Sequence, residues 1–272
     1  MSLRIIDWPD FLAGGSDQGG AAITIGVFDG VHLGHQALIK RIVERGPNPT
    51  VITFRENPKK MTSGYYGGDL YSLKQKLNAF DELGVNRAVL IDFSPEFSKL
   101  KGKEFLDLLA GRGRMVFLAI GCHFRCGFRQ DTDACLVREI NSGNGIPTEL
   151  FLPIALPLEA GNSPVSSSRI RSAVISGDLE NAAAFLGRNF GLDLSDITPV
   201  YGQNEYKGFK KNGRKHSKYV YDLRSVNRIT PAGGGYSVLI YPGGKTSRAD
   251  VEDGKVILSE EAESLEFNMY PI

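Results

Sequence analysis

The feature that most constrains the fold is an alternation of short apolar segments with segments of helical spacing. Residues 22–27 and 50–54 are apolar, β-branched runs typical of buried strands. Between them, residues 35–45 place apolar side chains at helical spacing and end at Gly46 and Pro47. Strands that alternate with helices predict a mostly parallel sheet covered by helices on both faces. We therefore expect a doubly wound α/β fold.

The same alternation continues to about residue 190. Further strands are predicted at Arg87–Asp92, Met115–Ile120 and Glu149–Leu152. Further helices are predicted from a capping box at residues 72–75 to Gly84, and at Lys103–Leu109, Asp133–Asn141, Ser168–Ser176 and Leu179–Leu186. In sheets of this type, ligands bind beyond the carboxyl ends of the strands, where strand order reverses. The loops that follow the strands are therefore the expected location of a site.

The composition changes near Gly191. The residues after it show strand patterns at Tyr219–Leu223 and Tyr236–Tyr241, separated by glycine-rich turns. We expect residues 1–190 to form the α/β domain and residues 191–272 to form a small β-rich domain.

Composition also limits the class of partner. A net charge of +1, with 42% hydrophobic and 23% charged residues, is ordinary for a soluble globular protein and steers neither nucleic acid nor membrane. The longest apolar runs are far shorter than the about 20 residues of a spanning helix, and residues 1–11 lack a signal-peptide core. Three cysteines argue against a disulfide framework. We expect a cytoplasmic protein of undetermined oligomeric state.

The motif that carries chemistry lies between the first predicted strand and the first predicted helix, where residues 26–35 read Gly-Val-Phe-Asp-Gly-Val-His-Leu-Gly-His. Glycine lets the backbone approach a ligand closely, and a helix N-terminus attracts phosphate. His32 and His35 can both donate hydrogen bonds to charge that develops on one phosphate chain. The alternative is a helix-entry turn in which both histidines are satisfied by the backbone.

Residues 24–35 resemble the His-x-Gly-His signature of the nucleotidylyltransferases, and in particular the adenylyltransferase half of bacterial bifunctional riboflavin kinase/FAD synthetase. Later segments are similar to motifs of that family in the same order: Thr53 and Phe54 with Pro58, then Gly121–Gly127, then Val165–Arg171. The likeness covers roughly residues 20–190. It implies a Rossmann-like nucleotidylyltransferase fold and synthesis of FAD from FMN and ATP, with release of pyrophosphate.

The resemblance also implies roles for single residues. The catalytic residues that it implies are His32, His35 and Arg171. The nucleotide-binding residues that it implies are Gly26, Val27, Phe28, Asp29, Gly30, Gly34, Ser167, Ser168 and Arg169. The flavin-binding residues that it implies are Phe54, Asn57, Pro58, His123, Phe124 and Arg125. Mg²⁺ would bridge phosphate oxygens without a dedicated set of protein ligands, and Asp29 would either hold a metal-bound water or orient its loop.

The chain departs from the family pattern in both flavin loops. Glu56 and Asn57 stand where the family has Pro and His, and Cys122 and His123 replace an acidic pair. Two other functions therefore stay open. The chain could transfer a nucleotide to a different phosphate acceptor, or it could bind a flavin or a nucleotide without catalysis.

The family's kinase domain carries a Gly-Phe/Tyr-Pro-Thr-Ala-Asn motif, and residues 191–272 lack this string. They are also fewer than a full kinase barrel needs. We expect this part to be a degenerate, kinase-like remnant without riboflavin kinase activity.

Two further patterns have commonplace explanations. A basic run interleaved with aromatic residues, from Tyr206 to Tyr221, can bind single-stranded nucleic acid, but a solvated hairpin loop is the commoner case. We expect the partners to be the small-molecule substrates ATP and FMN, not nucleic acid or membrane.

Cys122, His123 and Cys126 are not expected to bind zinc, because structural zinc sites usually have four ligands.

Overall fold

The computed structural model describes residues 2–14, 19–62, 66–158, 161–202 and 218–271. The chain divides into two compact units. The first comprises Met1–Tyr66 and Leu73–Val165, and the second comprises Gly67–Ser72 and Ser166–Ile272.

The first unit is an α/β structure. Its strands are β1 (Arg4–Asp7), β2 (Ala21–Ile25), β3 (Thr50–Phe54), β4 (Arg87–Ile91), β5 (Met115–Gly121), β6 (Arg125–Cys126), β7 (Thr132–Asp133), β8 (Thr148–Phe151), β9 (Ala155–Leu158) and β10 (Gly161–Pro164). Its helices are α1 (Trp8–Ala13), α2 (Leu33–Arg45), α3 (Lys59–Thr62), α4 (Leu73–Glu82), α5 (Gly102–Gly111) and α6 (Ala134–Gly143). Six strands form a parallel sheet in the order β1-β4-β3-β2-β5-β8, which confirms the predicted doubly wound fold.

This sheet buries apolar side chains on both faces, because successive strand residues point to opposite sides. One face packs against α2 and α4, and the other packs against α1, α5 and α6. The alternating strand residues are Ala22, Val51 and Ala88 on the first face and Ile23, Ile52 and Val89 on the second. Two-sided burial explains why these strands are apolar at every position rather than at alternate positions.

Strand order reverses at β2. The chain continues from β2 to β3 and β4 on one side, and it later adds β5 and β8 on the other. The crevice at the carboxyl ends of β2 and β5 is thus the position at which doubly wound sheets bind ligands. The loop after β2 and the first turn of α2 begin at this edge.

The second unit combines two helices with an antiparallel sheet. The helices are α7 (Ser167–Ser176) and α8 (Leu179–Leu186). The strands are β11 (Gly191–Asp193), β12 (Val200–Gly202), β13 (Lys218–Asp222), β14 (Gly234–Tyr241), β15 (Lys245–Glu252), β16 (Lys255–Leu258) and β17 (Ser264–Pro271). The sheet order is β11-β17-β14-β15-β16-β13-β12, which confirms a β-rich C-terminal part.

The compact division falls before α7, because α8 packs against β17 of the same unit. The β structure itself begins at Gly191, where the composition changes. The domain boundary at residue 190 remains a prediction.

Asp193 is the centre of a buried polar network in the second unit and is 3% exposed. The hydroxyl groups of Ser72 and Ser195 donate hydrogen bonds to its carboxylate, at 2.6 and 2.7 Å. The guanidinium of Arg228 donates to its backbone carbonyl oxygen. Burial acts to raise the pKa of the Asp193 carboxyl, but these hydroxyl groups and the charge of Arg228 together hold that pKa below its ordinary value. The charged carboxylate thereby ties the segment Gly67–Ser72 to the β sheet.

The expectations about a membrane and about nucleic acid as partners can each be compared with the structure. Across the described ranges, no helix has the length and apolar character needed to cross a membrane. Most of the basic run from Tyr206 to Tyr221 falls on residues 203–217, which lie outside the described residues. Its end, from Lys218 onward, forms β13.

Candidate functional site

His32 and His35 lie together at the start of α2. His32 is the N-cap residue, and its Nδ1 accepts a hydrogen bond from the backbone N–H of His35 at 3.3 Å. The two imidazole rings stack, with centroids 3.5 Å apart and planes inclined by 16°. His32 is 7% exposed, so the pair is set into the molecule at the carboxyl end of β2.

The cap fixes which nitrogen of His32 can act as a donor. Because Nδ1 accepts a hydrogen bond, a neutral His32 carries its proton on Nε2. The first turn of a helix also has backbone N–H groups without helical partners and the positive end of the helix dipole. This corner therefore offers donors of the kind that bind phosphate oxygens.

The loop between β2 and α2 has an unusual backbone. Phe28 and Val31 have φ of 54° and 40°, in the left-handed region that is costly for large side chains and most of all for β-branched ones. The backbone N–H of Val31 donates to the Phe28 carbonyl at 3.2 Å, and Gln36 Nε2 donates to the Val31 carbonyl at 3.0 Å. Strain held in place by its surroundings is typical of ligand-binding segments.

Gly26 and Gly34 each lie close to an aromatic ring. A Cβ on Gly26 would lie 3.2 Å from the ring of Phe28, and a Cβ on Gly34 would lie 3.3 Å from the ring of His32. The Phe28 ring is 1% exposed and meets His35 edge to face, with centroids 5.1 Å apart. The glycines therefore let aromatic rings fold back over the loop and shape the corner. Asp29, in the same loop, is 7% exposed.

A buried lysine joins this loop to the end of the neighbouring strand. Lys76 of α4 is 8% exposed, and its Nζ donates to the carbonyl oxygen of Phe54 at 2.8 Å. Nζ also lies 3.3 Å from Thr53 Oγ1 and 3.4 Å from the carbonyl oxygen of Val27. Thr53 Oγ1 in turn donates to the Val27 carbonyl at 3.1 Å. The ends of β2 and β3 are thus held by one ammonium group.

Sequence reasoning missed Lys76, although a signal was present. The apolar stripe of α4 contains Leu73, Leu77 and Phe80, and Lys76 occupies a position of that stripe. A lysine on the apolar side of a helix needs polar partners, which points to a built contact.

The predicted flavin walls Phe54 and Phe124 are both half-buried and pack against the same core cluster. Phe54 also contacts Phe93 and Phe97, with ring centroids 5.9 and 6.2 Å apart. These two phenylalanines, which the sequence analysis did not assign to a site, extend the aromatic surface at the ends of β3 and β4.

The polar residues of the predicted flavin loops are more exposed. His123 and Arg125 are exposed, whereas Asn57 and Pro58 are half-buried. The side-chain oxygen of Asn57 accepts a hydrogen bond from the backbone N–H of Lys59 at 3.1 Å, which supports the start of α3.

The serine motif begins α7 in the second unit. Ser166 is the N-cap residue, and its hydroxyl accepts a hydrogen bond from the backbone N–H of Arg169 at 3.4 Å. Ser167 is half-buried, and Ser168 and Arg169 are exposed. Capping by Ser166 leaves the roles expected of Ser167 and Ser168 open, since a capped helix start also binds anions.

Arg171 is half-buried in the same unit. Its Nε donates to the carbonyl oxygen of Gly68 at 2.8 Å, which fixes the direction of the guanidinium group. His32 and His35 belong to the first unit and Arg171 to the second.

The cysteines have contrasting environments. Cys122 and Cys126 are half-buried and Cys135 is exposed. Burial, with a contribution from the charge of Asp131, raises the pKa of the Cys126 thiol to about 12, so that it stays protonated at neutral pH. Within the described part of the chain, no group of three or more His, Cys, Asp or Glu side chains is arranged to hold a metal ion.

The fold and the site define a doubly wound α/β protein. Its candidate site lies at the switch point of the sheet, where a helix begins with two histidines. A family model described as FAD synthetase matches residues 15–169, which is more than half of the chain. The chain belongs to the FAD synthetase family.

Two curated relatives illustrate the extent of the similarity. The bifunctional riboflavin kinase/FMN adenylyltransferase of Escherichia coli (strain K12) is 30% identical over 184 residues, which cover 64% of this chain and 56% of that protein. A Geobacillus thermodenitrificans (strain NG80-2) protein with a provisional form of the same description is 31% identical over 173 residues, covering 62% of this chain and 90% of that protein. The match therefore spans about half the length of the Escherichia coli relative.

A solved structure shares the fold of the whole chain. The crystal structure of a macrolide-efflux protein from Streptococcus pneumoniae superposes with a TM-score of 0.74 at 20% identity, covering 98% of this chain and 90% of that one. At this identity the likeness describes the architecture alone.

Proposed function

We propose that this chain transfers AMP from ATP to FMN, giving FAD and pyrophosphate, and that it has no riboflavin kinase activity. The observation that carries the proposal is the stacked pair of His32 and His35 at the N-terminus of α2, at the switch point of the sheet. Membership of the FAD synthetase family supports the same reaction.

The reaction requires the chain to position the two substrates, and it requires no covalent bond between the chain and either of them. A phosphate oxygen of FMN attacks the α-phosphorus of ATP, and a new P–O bond forms. The bond from the α-phosphorus to the oxygen bridging it to the β-phosphate breaks, and pyrophosphate leaves with that electron pair. No protein nucleophile takes part, so the chain contributes orientation and stabilisation of phosphoryl charge.

In the first unit, His32 and His35 donate hydrogen bonds to phosphoryl oxygens as charge develops on them. The backbone of Gly26, Phe28 and Gly34 makes close contacts with the nucleotide, together with that of Val27 and Gly30. The capped tautomer of His32, with its proton on Nε2, supports a donor role for this ring. Asp29 orients the loop or holds a water of the substrate's Mg²⁺.

In the second unit, Ser167, Ser168 and Arg171 bind the β- and γ-phosphates, with Arg169 nearby. The start of α7 favours an anion, and the contact of Arg171 with the Gly68 carbonyl holds its guanidinium in a fixed direction. Mg²⁺ bound to ATP would be part of the substrate and would supply positive charge to the phosphate oxygens.

The acceptor is held by the loops that follow β3 and β5. Phe54, Pro58 and Phe124 provide apolar walls for the flavin ring. The hydrogen-bonding groups of Asn57, His123 and Arg125 are its polar contacts. The shared packing of Phe54 and Phe124 on one core cluster supports this assignment.

The test of this function is product formation by the purified chain. Incubation with FMN, ATP and Mg²⁺ should yield FAD and pyrophosphate in equal amounts, measured by chromatography and a coupled assay. With riboflavin in place of FMN, no FMN should form. A folded, ATP-binding protein that makes no FAD would refute the transferase activity, and formation of FMN from riboflavin would refute the absence of kinase activity.

The departures in the flavin loops favour one second candidate, a nucleotidyl transfer to a different phosphate acceptor. Asn57, Cys122 and His123 replace the family's residues there. A panel of phosphate-bearing acceptors, scored by pyrophosphate release, separates the two functions. Higher kcat/KM for another acceptor than for FMN would favour the second candidate, and tight flavin binding without pyrophosphate release would indicate a binding protein.

A further inference from the structure

We infer that Lys76 is a positioning residue, an inference that rests on the proposed function. It holds the loop between β2 and α2 (the nucleotide loop) in place relative to the end of β3 that carries Phe54 (the acceptor wall). Its ammonium group contacts two backbone carbonyl oxygens. One belongs to Val27, which immediately precedes the left-handed Phe28, and the other belongs to Phe54 of the proposed flavin wall.

The contact lies where the sheet ladder ends. Strands β2 and β3 pair up to Ile25 and Ile52, and the backbone N–H of Gly26 makes a last bond to the Ile52 carbonyl at 3.1 Å. Beyond this point the two chains enter their loops. Lys76 Nζ then bridges the carbonyl oxygens of Val27 and Phe54 and takes the place of a ladder hydrogen bond.

The side chain is suited to this bridge. An ammonium group has three donors and no acceptor, and Nζ lies within hydrogen-bond distance of two carbonyl oxygens and the Thr53 hydroxyl. Lys76 is 8% exposed, so these bonds are protected from competing water. An apolar side chain at this position would continue the stripe of α4 but would leave the carbonyl oxygens without this donor.

The consequence is mechanical. The oxygens that Lys76 joins belong to the loop that leads into the histidine pair and to the strand end that carries the acceptor wall. In-line attack depends on the separation of the two substrates, and small displacements of reacting groups lower rates strongly. Loss of Lys76 should therefore act on turnover and nucleotide affinity, beyond any effect on stability.

The experiment compares four variants with the wild type. Lys76→Met removes the donors, Lys76→Arg keeps them in a different geometry, and Thr53→Val removes one partner oxygen with little change of shape. Lys40→Met is the matched control, since Lys40 is an exposed lysine of α2. For each protein, kcat and KM for FAD formation, the Kd of MgATP by calorimetry, and the Tm are measured.

The inference predicts that Lys76→Met lowers kcat at least about tenfold and raises the Kd of MgATP at least about fivefold, at a temperature where it is folded. Lys76→Arg should recover part of both losses, Thr53→Val should show a smaller loss of the same kind, and Lys40→Met should stay within about twofold. A Lys76→Met protein with a lowered Tm but with kcat and Kd within twofold of wild type would overturn the inference. Losses of equal size in Lys40→Met would do the same.

Two further results are decided by the same measurements. If Lys76→Met does not fold, wild-type values in both Lys76→Arg and Thr53→Val overturn the inference, and graded losses in both support it. If the wild type makes no FAD, the proposed function fails by itself, and the Kd of MgATP across the variants still decides whether Lys76 orders the nucleotide loop.

Discussion

At the scale of the residue, His32 combines two roles that one substitution can separate. Its Nδ1 caps α2, and its ring stacks on His35. Asparagine is among the best N-cap residues, because its side-chain oxygen accepts from the same backbone N–H groups, but it has no imidazole. Alanine provides neither the cap nor the ring.

The variant His32→Asn should therefore keep the stability of the wild type while losing activity. We expect a Tm within a few degrees of wild type and a fall in kcat of about 10²- to 10³-fold, the loss typical of removing one donor to a transition-state oxyanion. His32→Ala should lose activity and also about 1 kcal/mol of stability. FAD formation and thermal unfolding measure both quantities, and wild-type kcat in His32→Asn would remove this histidine from the mechanism.

Cys126 makes stability depend on pH in the alkaline range. An unfolded thiol has a pKa of about 8.5, whereas burial, with the charge of Asp131, raises that of Cys126 to about 12 in the folded chain. Between these values the unfolded state releases its proton and the folded state keeps it, so stability falls as pH rises. Urea unfolding at neutral pH and at about pH 9.5 should show a smaller decline for Cys126→Ala than for wild type. Equal declines would contradict the raised pKa.

The sequence spacing predicted part of the geometry of the candidate site. The N-cap and N3 positions of a helix face the same end, so the proximity of His32 and His35 follows from the helix start. The left-handed φ of Val31 could not be predicted, because β-branched residues avoid this region and the surrounding structure imposes it. The apolar stripe of α4 indicates that Lys76 needs polar partners, but it does not identify them, because the Val27 and Phe54 carbonyl oxygens are tertiary contacts.

At the scale of the element, an ion pair links α2 to the edge of the parallel sheet. Arg41 Nε and Nη2 donate to the two carboxylate oxygens of Glu149 on β8, at 2.6 and 2.8 Å. These bonds hold the pKa of the Glu149 carboxyl below its ordinary value, although partial burial acts in the opposite direction. The pair helps to fix the helix that carries the histidines.

A double-mutant cycle on Arg41→Ala and Glu149→Ala should give a coupling energy of about 1 kcal/mol at neutral pH. Because the pKa of folded Glu149 is lowered, this stabilisation is present above the unfolded pKa of about 4.3 and is lost as the pH falls through the folded value. The exposed pair Lys103–Asp107 on α5, at 2.7 Å, is the control and should give about 0.3–0.5 kcal/mol. A coupling for Arg41 and Glu149 no larger than the control would contradict the structural role.

The elements that the sequence predicted best have clear boundaries. Helix α8 spans Leu179–Leu186 as predicted, because Asp178 caps its start and Gly187 ends it in the left-handed conformation. Strand β1 was missed, since it is an edge strand in which Ile6 is half-buried and Ile5 is 57% exposed, so that no apolar alternation marks it. The antiparallel pair of β9 and β10 was also missed; its strands contain prolines, which lower any strand prediction.

At the scale of the whole molecule, alternation predicted a parallel sheet but not its strand order. Order depends on which crossovers pack best, and that information is spread over both core faces rather than held in a local pattern. The position of the candidate site could nevertheless be proposed from the sequence, because the loop after the first central strand lies at the switch point in doubly wound sheets. The assignment of single residues to nucleotide and flavin stays a prediction.

The stability of the second unit should depend on its buried carboxylate. Asp193→Asn should lower the free energy of unfolding by about 2–4 kcal/mol at neutral pH, since it removes a charge held by Ser72, Ser195 and Arg228. The lowered pKa means that this contribution exists above the unfolded value of about 3.9 and disappears as pH falls through the folded value, so wild type and variant should converge in acid.

The matched control is Asp253→Asn, a carboxylate that is 78% exposed and pairs with Arg224. Its effect should be below about 1 kcal/mol. Denaturant unfolding at several pH values provides the comparison, and an Asp193→Asn protein as stable as the control would show that the network contributes little.

The most direct test of the proposed reaction follows the α-phosphorus of ATP. ATP labelled at that atom is incubated with FMN, Mg²⁺ and either the wild type or His32→Asn. We predict that the wild type moves the label into FAD and releases unlabelled pyrophosphate, and that His32→Asn, equally stable, does so about 10²- to 10³-fold more slowly. Label that stays in bound ATP while FMN is unchanged, or equal rates for the two proteins, would contradict it.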